Sequence, residues 1–336
     1  MAHSTWDRRH LLGLEGLSAA DLNFILDQAE AYRDVAAGRA PRLNLLAQRT
    51  VANLFFEDST RTRCSFTLAT RRLGGETLDL TSAGSSVKKG ETVVDTALNL
   101  AAMGVHALVV RTSAAGAPAM IANAVSVPVI NAGDGSHEHP TQGLLDLLTL
   151  RQRLKTLQDK TIAIVGDVSN SRVARSNVHA LTTMGANVVL VGPPTLVPRS
   201  FERIVCAQSP GKVSVHHDLD DVLGEVDSII MLRVQFERAG AESAGRAASA
   251  HPASDAAAAT QSSLIPGDYR RTYGLTAARA AKLPPHAAVL HPGPMNRGLE
   301  IDSDVADDPQ RSMILHQVTN GVAIRMAILA MTMSAR

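Results

Sequence analysis

Short apolar runs of strand length alternate with helical segments along most of the chain, and this alternation leaves few folds open. Strands are predicted at 51–55, 76–80, 105–111, 127–131, 161–167, 187–192, 212–216, 227–232 and 287–291. Helices are predicted at 60–74, 92–104, 117–125, 139–154, 171–185 and 312–333. Strands joined through helices run parallel, because each crossover returns the chain to the edge from which it left. The predicted class is therefore α/β, with two doubly wound domains, each built on a central parallel sheet, bridged by long helices. At roughly 150 residues per domain, 336 residues divide near position 150. Residues 1–150 and 151–311 are the two expected units, and the helix 312–333 is expected to pack back across the seam.

Two segments bear on that seam. An opening helix follows Ser18, with Leu22, Ile25, Leu26, Ala29, Tyr32 and Val35 at helical spacing and Gly38 after it. HPTQGLLDLLTLRQRL (139–154) begins with a first-turn proline and carries Leu144, Leu145, Leu148 and Leu154 on one side. One stretch breaks the pattern: residues 237–263 are rich in Ala, Ser and Gly with little apolar periodicity. They read as a mobile loop, with a short exposed helix as the alternative that alanine propensity allows.

Composition narrows the partners. Lys and Arg number 33 against 32 Asp and Glu, so no global field draws the chain to nucleic acid or to an anionic membrane. Aromatic residues make up only 3% of the chain, too few for an extended base-stacking surface. Cys64 and Cys206 lie far apart without C-x-x-C spacing, which argues against a disulfide framework or a thiolate metal site. The N-terminal stretch lacks a continuous apolar core of signal-peptide length. A cytoplasmic protein is expected, with small anions as the best-fitting ligands.

The densest chemical signal is STRTR (59–63), which follows the strand at 51–55 and the acidic pair Glu57 and Asp58. Hydroxyls and an arginine at a helix N-terminus make a phosphate cradle, since unpaired N–H groups and the dipole converge on one anion. A self-capped helix with solvated arginines is the other reading. SSVKKGE (85–91) offers Ser85 and Lys89 to an anion, or is a solvated turn. HEHPTQ (137–142) places His139 and Gln142 on one side of a first helical turn. Its H-x-H spacing hints at a metal, but no second cluster of ligands accompanies it, and none is expected. GDVSNSR (166–172), RVQ (233–235) and HPGP (291–294) each follow a predicted strand, at the ligand-facing end of a parallel sheet. The absence of G-x-G-x-x-G gives no support for a dinucleotide, and no cofactor is expected.

Taken in order, FFEDSTRTR, SSVKKGE, HPTQ, RVQ and HPGPMNRG resemble the motifs of the aspartate/ornithine carbamoyltransferase superfamily, and the resemblance runs from the first helix to QVTNGVAIRMA (317–327). It implies a carbamoyl-phosphate-binding domain first and an amino-acid-binding domain second. SSVKKGE, RVQ, HPGPMNRG and GLEIDSDVAD (298–307) are similar to the aspartate-using members. The implied reaction transfers the carbamoyl group of carbamoyl phosphate to the α-amine of L-aspartate, giving N-carbamoyl-L-aspartate and phosphate in the committed step of pyrimidine synthesis. Alternatives are ornithine or an acylated ornithine as acceptor, or a non-catalytic paralogue.

The resemblance assigns roles residue by residue. Ser59, Thr60, Arg61 and Thr62 would hold the phosphate, Arg111 the phosphate and carbonyl oxygen, and His139 that same oxygen. Gln142 and the carbonyls of Pro292, Gly293 and Pro294 would fix the carbamoyl NH₂. Ser85 and Lys89 would enter a neighbouring subunit's site, which implies a homotrimer with shared sites. Arg172, Arg233 and Gln235, with Lys89, would clamp the aspartate carboxylates. Arg61, Thr62, Lys89, Arg111, His139 and Gln142 form the implied catalytic set, and association with regulatory or dihydroorotase-like chains stays open. Chemistry agrees with the resemblance: joining a phosphate ester to a dicarboxylate requires several cations in one cleft. Arg61, Lys89, Arg111, Arg172 and Arg233 supply five in a chain whose net charge is only +1. Two points depart from the family pattern: Thr67 stands where many relatives carry Glu, and the Ala-rich 237–263 stretch occupies the segment that in relatives moves during domain closure over aspartate. Cys64, inside the phosphate helix, is expected to serve packing.

Overall fold

A computed structural model of the chain describes residues 6–81, 90–205, 209–234 and 265–334. Ser85, Lys89, Cys206, Gln235 and the segment 237–263 lie outside the described residues.

The first half holds β1 (Thr50–Phe55), β2 (Glu76–Thr81), β3 (Ala107–Thr112) and β4 (Val129–Asp134) in a sheet of order β2-β1-β3-β4. All of its pairings are parallel. The second half holds β5 (Thr161–Val165), β6 (Asn187–Val191), β7 (Val213–His216), β8 (Ser228–Met231) and β9 (Ala288–Leu290), ordered β7-β6-β5-β8-β9 and again parallel. Every residue of β3, β4, β8 and β9 is buried, and ALVV, IIM and AVL within β3, β8 and β9 accordingly read as continuous apolar runs rather than alternating ones. In each sheet the order reverses once, between β1 and β3 and between β5 and β8. Crevices open at the carboxyl ends of strands at such reversals.

The helices are α1 (Ala19–Ala31), α2 (Arg33–Ala36), α3 (Thr60–Arg72), α4 (Val93–Ala102), α5 (Ala117–Ala124), α6 (Pro140–Leu154), α7 (Arg172–Thr183), α8 (Pro266–Tyr273), α9 (Ala277–Ala280), α10 (Ser303–Ala306) and α11 (Ile314–Ser334). Ser18 opens α1 in a capping box. It accepts the Asp21 N–H at 3.1 Å while the Asp21 carboxylate accepts the Ser18 N–H, so two orphan donors are satisfied together. The single opening helix expected from the sequence is split at Tyr32, where the last turn tightens and the Tyr32 N–H donates to Ala29 O at 3.1 Å. Val35 still reaches the core from α2.

One apolar core runs through both halves. It unites Leu22, Ile25 and Leu26 of α1 with Leu144 and Leu148 of α6, Val178 and Leu181 of α7, and Ile324 and Ile328 of α11. Separate clusters back the opposite faces of the two sheets. α11 packs on α1, α2, α3 and α6. Its 21 residues are long and apolar enough to cross a bilayer, yet 72% of its apolar window is buried within the protein, so core packing accounts for its composition. Cys64 corrects one expectation: it lies on the exposed side of α3 and is a free thiol, since the packed side of that helix is taken by Phe66, Ala69 and Thr70.

Glu138 ties the N-terminal segment to the second half. Its buried carboxylate accepts the Leu14 N–H at 2.8 and 3.0 Å, the Glu15 N–H at 3.1 Å and the Ser176 hydroxyl of α7 at 2.7 Å. A buried donor left without its acceptor costs about 1–3 kcal/mol. Glu138→Ala is therefore expected to lower unfolding free energy by about 3 kcal/mol or more, read from denaturant midpoints. A change below about 0.5 kcal/mol would show that the three donors find water instead.

Candidate active site

Loops from the carboxyl ends of six strands meet over the two reversal points and enclose a cavity of about 400 Å³. After β1 come Glu57, Asp58, Ser59, Thr60, Arg61 and Thr62; β3 contributes Arg111, and His139 and Gln142 follow β4. The second sheet contributes Asn170, Ser171, Arg172 and Val173 after β5, Leu232 and Arg233 after β8, and Pro292, Gly293 and Pro294 after β9. Every described residue assigned to the site from the sequence lies on this one cavity.

The wall from the first sheet is set by local backbone chemistry. The Phe56 N–H donates to Arg111 O at 2.8 Å, so the chain leaving β1 stays beside the end of β3. Ser59 then takes the N-cap of α3 with extended φ −161°, and its side chain makes no capping bond. The self-capped alternative for STRTR is thus not what the hydroxyl does; helix, hydroxyls and arginine line the cavity instead.

Glu57 organises the cations. Arg111 Nη2 donates to its Oε1 at 2.9 Å, and Arg172 Nη1 donates to its Oε2 at 2.9 Å. Arg172 Nη2 closes a second bond to Oε1. Arg111 also donates to Ala132 O at 3.1 Å, and Arg172 to Gly135 O at 3.3 Å. The two guanidinium groups converge beside Gly133, whose φ of +117° suits glycine. A Cβ there would stand 3.0 Å from Arg172 Nε and 3.2 Å from Arg111 Nη1. Glycine is needed again at Gly293, with φ +63°, where a Cβ would collide with the Arg61 guanidinium.

His139 precedes α6 and donates its backbone N–H to Ser176 Oγ at 2.9 Å. Its ring is buried, and burial pushes its proton affinity well below the ordinary 6.5, helped by the nearby charges of Arg111, Arg172, Arg325 and Arg61. The imidazole is neutral at physiological pH and serves as a hydrogen-bonding group rather than a cation. The turn at HPGP is held from within: the Gly293 N–H donates to His291 Nδ1 at 2.7 Å, so His291 carries its proton on Nε2, 3.2 Å from Glu300 Oε1. The HPGP turn is thus held from within at the point where it lines the cavity.

Sequence reasoning missed several participants. Glu57 stood only as one of an acidic pair. Arg325 of α11 is buried, donates to Ser65 Oγ at 3.0 Å and Gly321 O at 2.9 Å, and lies 5.2 Å over the Phe66 ring. Burial, with Arg111 and Arg61 nearby, lowers its proton affinity to about 9. Asp146 of α6 is fully buried, and desolvation raises its carboxyl to about 6 against three amide hydrogen bonds. Each is a lone charge within an apolar helical run, a pattern visible in the sequence because desolvating a charge demands a compensating partner. Thr67 Oγ1 lies 3.5 Å from Asn53 Nδ2, which donates to Asp79 Oδ1 of β2 at 2.9 Å.

The neutral histidine yields a pH prediction. The folded ring refuses a proton that the unfolded ring accepts below about 6.5, so this group's contribution to stability, complete above that value, shrinks as pH falls. In histidine-labelled protein, the resonance that disappears in His139→Gln is expected to stay that of a neutral ring from pH 8 to pH 6. A midpoint near 6.5 for that resonance would contradict the burial argument.

Residues 9–152 match the family model for the aspartate/ornithine carbamoyltransferase carbamoyl-P binding domain, and residues 158–332 match that for the Asp/Orn binding domain. The aspartate carbamoyltransferase catalytic subunit of Gluconacetobacter diazotrophicus is 51% identical, with 96% of this chain and 92% of that protein covered. That of Rhodospirillum centenum is 48% identical over 97% and 94%. Among solved structures, aspartate transcarbamoylase from Trypanosoma cruzi in complex with carbamoyl phosphate and aspartate superposes with a TM-score of 0.79 at 32% identity, covering 96% and 95%. Ornithine carbamoyltransferase from Pyrococcus furiosus superposes at 0.81 with 28% identity, covering 99% of each chain. With two parallel sheets, a polycationic cleft over both reversal points and these matches along nearly its whole length, the chain belongs to the aspartate/ornithine carbamoyltransferase family.

Proposed function

We propose that this chain transfers the carbamoyl group of carbamoyl phosphate to the α-amine of L-aspartate, releasing N-carbamoyl-L-aspartate and phosphate. The observation that carries the reading is the convergence of Arg61, Arg111, Arg172 and Arg233 from both sheets on one cavity beside a neutral buried histidine. The relatives near 50% identity, named aspartate carbamoyltransferase catalytic subunits, support the choice of acceptor.

In this reading the first turn of α3, with Ser59, Thr60, Arg61 and Thr62, receives the phosphate. Its hydroxyls, unpaired N–H groups and guanidinium supply charge-assisted bonds worth about 1.5–3 kcal/mol each. Arg111, His139 and Thr62 surround the carbonyl oxygen; Gln142 and the HPGP turn fix the NH₂. Arg172 and Arg233 take the carboxylates of aspartate. The uncharged α-amine attacks the carbamoyl carbon, the tetrahedral oxyanion collapses, and phosphate leaves with the amine's proton. No covalent enzyme intermediate is needed. Holding two reactants in line contributes roughly 7–11 kcal/mol, and one well-aimed oxyanion donor about 2.7–4 kcal/mol. Arg111 and Arg172 already point at Glu57, so incoming substrate anions exchange with an internal carboxylate rather than ordering loose side chains.

The reading includes a cytoplasmic homotrimer in which Ser85 and Lys89 complete a neighbour's site. Its support is the family resemblance of SSVKKGE, which follows β2. Ornithine as acceptor is the second reading, kept because the Pyrococcus furiosus enzyme shares the fold as fully as the aspartate enzymes do. The cation Arg233 on the cavity wall favours an acidic acceptor over a basic one.

Phosphate release measured with carbamoyl phosphate and either amino acid separates the two. Aspartate is expected to be turned over and ornithine not, while His139→Ala lowers kcat by about 10²–10³ and still binds carbamoyl phosphate. Turnover of ornithine alone would reverse the assignment. For the shared site, inactive Arg61→Ala and Lys89→Ala proteins are mixed and allowed to exchange subunits; partial recovery is expected. No recovery after exchange verified by mass would place Lys89 in its own chain's site.

A further inference from the structure

Asp146 lies one helical turn beyond Gln142 on α6, and the chemistry above uses Gln142 but gives Asp146 itself no part. Its carboxylate is fully buried and gathers three amides from three helices. Oδ1 accepts Gln142 Nε2 at 2.9 Å and Gln317 Nε2 of α11 at 2.7 Å; Oδ2 accepts Asn177 Nδ2 of α7 at 2.8 Å. An ionised carboxylate only accepts, so each amide must present its NH₂ to it and turn its carbonyl oxygen away. For Gln317 the consequence is visible: its Oε1 accepts the His291 N–H at 2.9 Å, at the start of the HPGP turn. For Gln142, which lines the cavity, the same constraint leaves the carbonyl end for the cleft.

We infer that Asp146 is a positioning residue that fixes the Gln142 amide with its oxygen toward the carbamoyl NH₂ and, through Gln317, seats the HPGP turn against the same group. The inference rests on the carbamoyl-transfer reading. A buried carboxylate is an expensive way to hold three helices together, because desolvation opposes its charge. Asparagine has the same shape, but its own NH₂ would let either neighbouring amide reverse. What the carboxylate adds is a single permitted orientation. Discrimination between an NH₂ and a CH₃ group on the substrate follows from that orientation, since an acceptor oxygen rewards the first and not the second.

The test compares binding of carbamoyl phosphate with that of acetyl phosphate, in which a methyl replaces the NH₂, in unaltered enzyme and in Asp146→Asn. Unaltered enzyme is expected to prefer carbamoyl phosphate. In the variant its affinity is expected to fall about tenfold or more, with acetyl phosphate unchanged within about twofold. In a Gln142→Leu background, Asp146→Asn is expected to change the ratio clearly less than it does alone, because one of the two groups through which it acts is gone. Parallel losses for both ligands, an unchanged ratio, or additivity with Gln142→Leu would overturn the inference. Failure of unaltered enzyme to bind carbamoyl phosphate would instead overturn the proposed function.

If Asp146→Asn does not fold, the ratio is followed in unaltered enzyme from pH 8 to pH 5. Proton uptake by Asp146 near 6 gives the carboxyl a donor and frees an amide, so the ratio is expected to decline with falling pH. The charged and titratable groups nearby are Arg325 on α11, His139 at the start of α6 and His291 after β9, while α7 offers the uncharged Asn177. Changes in Arg325, His139 and the phosphate affect both ligands and cancel in the ratio, and the same titration in Gln142→Leu, which keeps His291 and the HPGP turn, subtracts theirs. A ratio constant across that range would overturn the inference.

Discussion

Glu57 holds guanidinium groups from both halves of the protein on one carboxylate, Arg111 from β3 and Arg172 from the first turn of α7. Without it, arginines that face one cavity would repel one another across a partly desolvated gap, where charge interactions are several times stronger than in water. Its Oε1 accepts from both guanidinium groups and its Oε2 from Arg172, so one carboxylate takes part of the charge of each half's arginine. Glycine at Gly133 is the geometric counterpart, since any side chain there would push both guanidinium groups aside.

The rest of the machinery depends on keeping this cationic site dry at its base. His139 stays a neutral donor to lower pH than an ordinary histidine because it is buried among positive charges. Arg325 can be buried only because Ser65, the Gly321 carbonyl and the Phe66 ring take up part of its demand. Glu138, Asp146 and Glu300 place carboxylates beneath the cavity, bonded to backbone N–H groups, amides and an imidazole rather than to the substrate-facing arginines. The cavity-lining arginines and these acceptors thus divide the polar residues by role, with Arg172 at the start of α7 and Asp146 within α6.

Much of this was legible in the chain itself. Strands buried on both faces, such as LVV within β3 and IAIV within β5, are continuous apolar runs, and their spacing by helices dictates parallel sheets. STRTR, HPTQ and HPGP each follow a strand, so the direction of a parallel sheet sends all of them to one end. Less legible were the residues whose meaning lies in a partner distant in sequence. Asp146 and Gln317 are 171 positions apart, and Glu57 and Arg172 are separated by 115. Within α6, Asp146 reads as a break in an apolar face. Cys64 was misread because helical periodicity alone does not say which face of α3 meets the core.

Sequence alone therefore determined the class of fold, the end of the sheets where ligands bind, and the residue types that meet there, because periodicity and strand-to-loop order are local properties of a chain. Tertiary structure decided which arginines share a carboxylate, that His139 is neutral, and which way the Gln142 amide faces. Those are matters of distance and desolvation, and both are set only when remote segments pack against one another.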